Sequence, residues 1–169
     1  NISPVTKNSF LFKFHHTDEP DILLMISSKG IWITKLKFRP VEQNDLAEII
    51  RPQLERSKIV AVDQPGSERI AIFHFRHPTN GPRILAVELF SDGNIILCDE
   101  NMIILAILKS MEVKHRTLRV GMVYKFPPSR GFDVINATFD DFAKARIESS
   151  DLPVVKWVGR ITSLPKKFV

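Results

Sequence analysis

Arg83-Ile84-Leu85-Ala86-Val87-Glu88-Leu89-Phe90-Ser91-Asp92-Gly93-Asn94-Ile95-Ile96-Leu97-Cys98-Asp99 is the stretch from which the fold follows. Two apolar runs, Arg83–Phe90 and Asn94–Cys98, flank Ser91-Asp92-Gly93, whose chemistry suits a tight reversal between antiparallel strands. A third run, Met102–Leu108, follows Asp99-Glu100-Asn101, a second hairpin signal. Upstream, Lys58–Asp63 and Glu68–Arg76 read as strands on either side of Gln64-Pro65-Gly66-Ser67. Further upstream, Phe10–His16 alternates Phe10, Phe12 and Phe14 with Leu11 and Lys13, the period of a half-buried strand. Asp21–Ile26 and Ile31–Lys35 continue the meander through Ser28-Lys29-Gly30. Short strands joined by turns of this kind predict an α+β domain built as an antiparallel sandwich, not a parallel sheet with crossover helices. Phe12, Ile26, Ile33, Ile72, Leu85, Val87, Ile96 and Ile104 are expected in its interior.

Three helices are predicted. Asn44 is a good N-cap for a helix to about Arg56, with Leu46, Ile49, Ile50 and Leu54 on one face. Pro52 is expected to kink or split it. Thr138 caps a helix to about Glu148, with Asp140 and Asp141 in its first turn. A last helical stretch runs from Asp151 to about Arg160, with Pro153 in its first turn. Between these regions, Val123–Gly131 carries Pro127-Pro128 and reads as an extended connector.

Composition narrows the function. Of 169 residues, 44% are apolar and 25% charged, ordinary values for a globular protein and poor ones for disorder. No apolar run approaches the roughly 18–20 residues of a membrane helix. Cys98 stands alone, which excludes a disulfide framework and fits a reducing compartment. Asn1–Asn8 is polar and lacks the apolar core of a secretory signal, and the abrupt start within a strand-like segment suggests a fragment of something longer. Residues 1–100 hold 12 Lys/Arg against 13 Asp/Glu, whereas residues 101–169 hold 12 against 6. From Lys109 to Arg130 there are six bases and one acid, Glu112. Localised positive charge attracts phosphate backbones, although a solvated basic edge gives the same count.

Enzymatic motifs are missing. His15 and His16 point to opposite faces of a strand, and His74 and His77 lack a third ligand at a diagnostic spacing. No phosphate-cradling glycine loop and no hydrolase elbow is present. Cys98 lies in an apolar run, where a buried inert thiol is the default, and Glu88, Asp92 and Asp99 are either a carboxylate cluster or, as is usual for turn acids, residues that serve turns. Two features carry more. Gly66-Ser67-Glu68-Arg69 presents an adjacent acid and base at a strand start. They form either a surface pair or a reader in which Arg69 forks onto a phosphate or base edge while Glu68 orients it or accepts a donor. Tyr124-Lys125-Phe126-Pro127-Pro128-Ser129-Arg130 is either a stacking platform for bases or a rigid linker laid over the sheet.

These motifs, in this order, resemble the NFACT family of ribosome-associated quality-control factors, the RqcH/NEMF type once described as fibronectin-binding protein A. The matching pieces are Asn1-Ile2 followed by Ser9–Lys13, then Gln64–Ile70, Val87–Asp99 and Gly121-Met122-Val123-Tyr124-Lys125-Phe126-Pro127-Pro128-Ser129-Arg130-Gly131. The basic character suits an archaeal member. The resemblance implies a β-rich N-terminal domain over residues 1–131, lacking the family's first helix, and a helical segment over 132–169 that starts a helix-turn-helix region. It also implies a fold related to the N-terminal domain of formamidopyrimidine-DNA glycosylases.

The implied function is to bind the large ribosomal subunit still holding peptidyl-tRNA, and to recruit charged tRNA for C-terminal tailing of the stalled chain. The family's Asp-Arg pair for tRNA falls on Glu68 and Arg69, with Glu in place of Asp. Arg116, Arg119, Lys125 and Arg130 are the candidates for contacts with RNA backbone. No catalytic residue, metal, cofactor, small-molecule substrate or membrane is expected, and the location implied is cytoplasmic. A nucleic-acid-processing enzyme of glycosylase ancestry and an adhesion or scaffold module are the alternatives.

Overall fold

The computed structural model describes residues 1–161 apart from 42, 43, 67, 115, 129–131, 134 and 135. The chain divides into two units, one formed by residues 1–63 and 69–126, the other by 64–68 and 127–169.

In the first unit, β1 (Ile2–Thr6), β2 (Ser9–Phe14), β3 (Ile22–Ser27) and β4 (Gly30–Thr34) form a sheet in the order β1-β2-β3-β4. Next come helix α1 (Asp45–Leu54) and a second sheet of β5 (Lys58–Asp63), β6 (Ile70–His77), β7 (Gly81–Glu88), β8 (Asn94–Asp99) and β9 (Ile104–Ile107), again in sequence order. A small hairpin, β10 (Met111–Val113) with β11 (Arg116–Leu118), completes the unit. Every strand pairing is antiparallel, as the turn chemistry predicts.

The inner strands β6, β7 and β8 of the second sheet bury residues on both faces, and strand alternation decides which residue goes where. Phe73, Phe75, Leu85, Val87, Ile95 and Leu97 share one core with Ile2, Phe10, Phe12 and Ile26 of the first sheet and with Leu46, Ala47, Ile50 and Leu54 of α1. The intervening residues Ile70, Ile72, Ala86, Ile96 and Cys98 face a second core, closed by Leu118 and Tyr124. Burying each large apolar side chain contributes roughly 1.5–3 kcal/mol.

Local chemistry fixes the ends of the elements. Asn44 caps α1 by accepting from the Ala47 N–H at 3.0 Å, and its side-chain amide donates to the carbonyl of Thr6. Pro52 does not split the helix, which runs on to Leu54, a buried residue. Arg51 Nε ties it further to the Ile2 carbonyl at 2.9 Å. In the β8–β9 turn, Asp99 Oδ1 accepts from the N–H groups of Asn101 and Ile103.

Two apolar expectations fail. Ile33 is 71% exposed, because it lies on an edge strand with a neighbour on one side only. Ile49 is exposed as well, so the buried stripe of α1 is Leu46, Ala47, Ile50 and Leu54. Three strands go beyond the sequence reading. β1 contains Pro4, which an edge strand tolerates, and β10 and β11 have three residues each.

In the second unit, α2 (Phe139–Ile147) starts at a reciprocal capping box between Thr138 and Asp141. Hydrogen bonds from Thr138 hold the Asp141 carboxyl below the usual carboxylate range. α3 (Val154–Ile161) places Trp157 against α2, with Nε1 donating to the Ala145 carbonyl at 3.2 Å and the Arg146 guanidinium over its ring.

The β3–β4 turn and the β7–β8 turn come into close backbone contact. Gly93 (φ +70°) lies so close to Ser28 that a Cβ there would fall 1.7 Å from the Ser28 carbonyl oxygen. Gly81 also has positive φ but opens onto free space. Gly93→Ala is therefore expected to cost more than about 4 kcal/mol, and Gly81→Ala about 1–2 kcal/mol. Urea denaturation of the two variants checks the difference.

Candidate nucleic-acid interface

The loop between β5 and β6 is shaped by its own side chains. Gln64 Nε2 donates to the Glu68 carbonyl at 2.9 Å, the Glu68 N–H donates to the Pro65 carbonyl, and Gly66 turns the chain at φ +52°. Ser67 lies outside the described residues. Glu68 is half-buried, and its Oε1 is enclosed without a hydrogen-bond partner among the described residues.

Arg69 follows on the first unit. The Leu89 N–H donates to its carbonyl at 2.8 Å, extending the β6–β7 ladder by one step beyond the pair Ile70↔Glu88. Its backbone is thus fixed by the sheet while its side chain is exposed. Among the described residues the guanidinium has neither an ion pair nor a side-chain hydrogen bond. A guanidinium held at its root and free at its tip is suited to bidentate capture of a phosphate or a guanine edge.

The basic candidates after Lys109 separate into different situations. Arg116 departs from the expected surface role: it is 7% exposed and donates through Nη1 and Nη2 to Glu88 Oε1 and Oε2 at 2.7 and 2.8 Å. Nη1 also reaches the Lys125 carbonyl at 3.1 Å. Burial works against the charged guanidinium, but the hydrogen bonds and charge of Glu88 outweigh it and raise its pKa above the ordinary value. Glu88, read from sequence as a turn acid, sits on the β7 position that alternation aims into the second core. It therefore needs a buried cation.

Tyr124 is corrected in the same way. It is buried, its hydroxyl donates to Glu88 Oε1 at 3.0 Å, and burial with the charge of Glu88 pushes its pKa up. The ring is not offered for base stacking. Of the expected platform, Phe126 is the exposed aromatic, set edge-on to Tyr124 at 5.2 Å.

Arg119 and Lys125 are exposed, with Arg119 paired to Glu112 at 2.8 Å. An exposed pair of this kind is worth little and yields readily to a phosphate. Arg130 lies outside the described residues. No group of three His, Cys, Asp or Glu able to hold a metal ion occurs among the described residues. Burial pushes the Cys98 thiol up to about 12, with the charge of Asp99 adding to it. Among the described residues, no helix is long and apolar enough to cross a membrane.

The sequence reading also passed over a run of bases. Lys29, Lys35, Lys37 and Arg39 are all exposed, and no acid occurs from Ser28 to Val41. The near balance of charge over residues 1–100 hid it; a sliding count would have found it.

The buried trio makes a stability prediction. Glu88→Ala strands a guanidinium in the second core and is expected to cost about 3–5 kcal/mol, whereas Glu88→Leu with Arg116→Met recovers most of that loss. Denaturant unfolding of the single and double variants tests it.

The family model described as NFACT N-terminal and middle domains matches residues 1–158. The chain is 32% identical over 133 residues to the archaeal Rqc2 homolog aRqcH of Methanocaldococcus jannaschii, covering 76% of this chain and 20% of that protein. It is 29% identical over 143 residues to ribosome quality control complex subunit 2 of Saccharomyces cerevisiae, covering 83% and 13%. It thus spans about a fifth or less of the length of these relatives. Among solved structures, the N-terminal domain of the fibronectin-binding protein PavA from Streptococcus pneumoniae superposes with a TM-score of 0.83 at 19% identity. That match covers 99% of this chain and 67% of that one. The fibrinogen-binding protein of Staphylococcus aureus gives 0.78 at 20% identity, covering 95% and 60%. With the fold of those domains and a family match across nearly its whole length, the chain belongs to the NFACT family.

Proposed function

We propose that this chain is the tRNA- and ribosome-binding portion of a ribosome-associated quality-control factor. It binds the large subunit that retains peptidyl-tRNA and recruits charged tRNA, so that a C-terminal tail is added to the stalled chain in the cytoplasm. Peptide-bond formation belongs to the ribosome's own centre, and the chain contributes binding alone. The names of its archaeal and yeast relatives support the ribosomal setting.

The observation that carries the reading is Arg69, an exposed guanidinium rooted by the Leu89 hydrogen bond and unpaired among the described residues. Its fork fits phosphate oxygens or a guanine edge. Glu68, at the neighbouring position, disfavours a second phosphate and favours a base or ribose donor, which makes it the discriminating partner. Arg119 and Lys125 supply sequence-independent contacts to RNA backbone. Arg116 is left out, since Glu88 holds it.

Arg69→Ala is expected to leave thermal stability within about 0.5 kcal/mol, as for other exposed surface changes, and to abolish tRNA co-sedimentation. Arg69→Lys restores little and Glu68→Asp is tolerated. A destabilised Arg69→Ala protein that still recruits tRNA overturns the assignment. Charge reversal at Lys125 is expected to weaken tRNA and unrelated RNA alike and to flatten the salt dependence of binding by roughly one counterion. Titrations at several salt concentrations measure both.

A further inference from the structure

The two large sheets have four edge strands, and three of them are protected. β1 carries Pro4 and a register shift, and its Pro4 carbonyl accepts from the Val41 N–H. β5 has a bulge between Ile59 and Ala61 and a charged residue at each end, Lys58 and Asp63. β9 is covered by the following chain, through Ile104 N–H to the Met122 carbonyl, Gly121 N–H to the Ile104 carbonyl, and the bridge Ile103↔Val123. Proline, bulges, charge and a covering segment are the devices that stop an edge from pairing with another chain.

Within β4 itself none of them occurs, although Lys29 and Lys35 border it. Gly30-Ile31-Trp32-Ile33-Thr34 contains no charge and no proline, and its pairing with β3 shows no register shift. Among the described residues its backbone hydrogen-bonds with β3 alone. Ser27↔Gly30 closes a two-residue turn, and hydrogen bonding alternates from there. The N–H and C=O groups of Ile31 and Ile33 therefore point away from β3. Trp32 is 47% exposed and Ile33 71%, and Leu36 just beyond is exposed too. Around this open edge lie Lys29, Lys35, Lys37 and Arg39. None of the four is in an ion pair among the described residues.

We propose that β4 is a docking edge that takes up an extended acidic segment of a partner protein as a fifth strand of its sheet. The free main-chain groups of Ile31 and Ile33 supply the hydrogen bonds, as in other strand additions. Ile33 selects apolar residues at alternate positions of the incoming segment, which share its face of the sheet, while Trp32 lies on the opposite face. The four cations select Asp and Glu between or beside them. The open ladder and the exposed Ile33 and Leu36 favour a peptide over a single-stranded RNA, which would use the cations and the Trp32 ring but not the edge.

The test uses the chain itself with labelled peptides of roughly eight residues, a normal strand length, in which Val alternates with Glu. Micromolar binding by fluorescence anisotropy is expected, with slowed amide exchange at Ile31 and Ile33 specifically. Lys35→Glu with Lys37→Glu should weaken it roughly tenfold or more. Ile33→Lys, at an exposed position, should abolish it with the melting temperature unchanged. N-methylation of alternate peptide amides should remove binding in one register and spare it in the other. Absence of binding at high micromolar peptide overturns the proposal, as does equal binding by both N-methylated peptides. Binding of a uridine oligonucleotide in place of the peptide, without protection of the two amides, overturns it in favour of an RNA surface.

Discussion

A carboxylate in an apolar core sets the terms for much of the first unit. Alternation along β7 sends Leu85 and Val87 toward one core and Ala86 and Glu88 toward the other, so a carboxyl group arrives where water does not. Its charge is met by the two-pronged contact of Arg116 and by the Tyr124 hydroxyl. Such a pair adds little net stability compared with well-packed hydrocarbon, but each partner forbids the absence of the other. What it secures is arrangement. Arg116 belongs to β11 and Tyr124 to the connector, so the single carboxylate ties a hairpin and a linker to the same strand.

That tie bears on the candidate site. Glu88 is register partner to Ile70, and the next residue, Leu89, holds the Arg69 carbonyl. Arg69 therefore extends from an end of the sheet that these contacts anchor, and its exposed guanidinium need not lose backbone freedom on meeting a ligand. Preorganisation of this kind improves binding by lowering its entropic cost. Glu68 sits one residue earlier and in the other unit, so the acid and the base of the pair are held by different parts of the molecule.

Local chemistry made much of this legible from sequence. Ser91-Asp92-Gly93 named its hairpin, Asn44 and Thr138 named their helix starts, and apolar runs between turns named eight of the nine strands of the two large sheets within a few residues. What escaped depended on partners far along the chain. Tyr124 and Arg116 look like a stacking ring and a phosphate contact until Glu88, 36 and 28 residues away, claims them. Ile33 has the right period for a core residue, but an edge position leaves it uncovered. β1 hides behind Pro4, whose cost in a strand vanishes at an edge.

The division of the chain into units has a consequence for biosynthesis. Residues 64–68 lie between two neighbouring strands of the first unit, yet they belong with residues 127–169. As the chain leaves the ribosome, β5 and β6 can pair and both cores can close once Phe126 has emerged. The short loop that carries Glu68 can make its own hydrogen bonds at that stage but still lacks companions more than 58 positions downstream. Residues 127–169 are therefore completed together with a piece from the middle of the chain. Shortening the protein after Phe126 would leave the sheet complete but the β5–β6 loop without those companions.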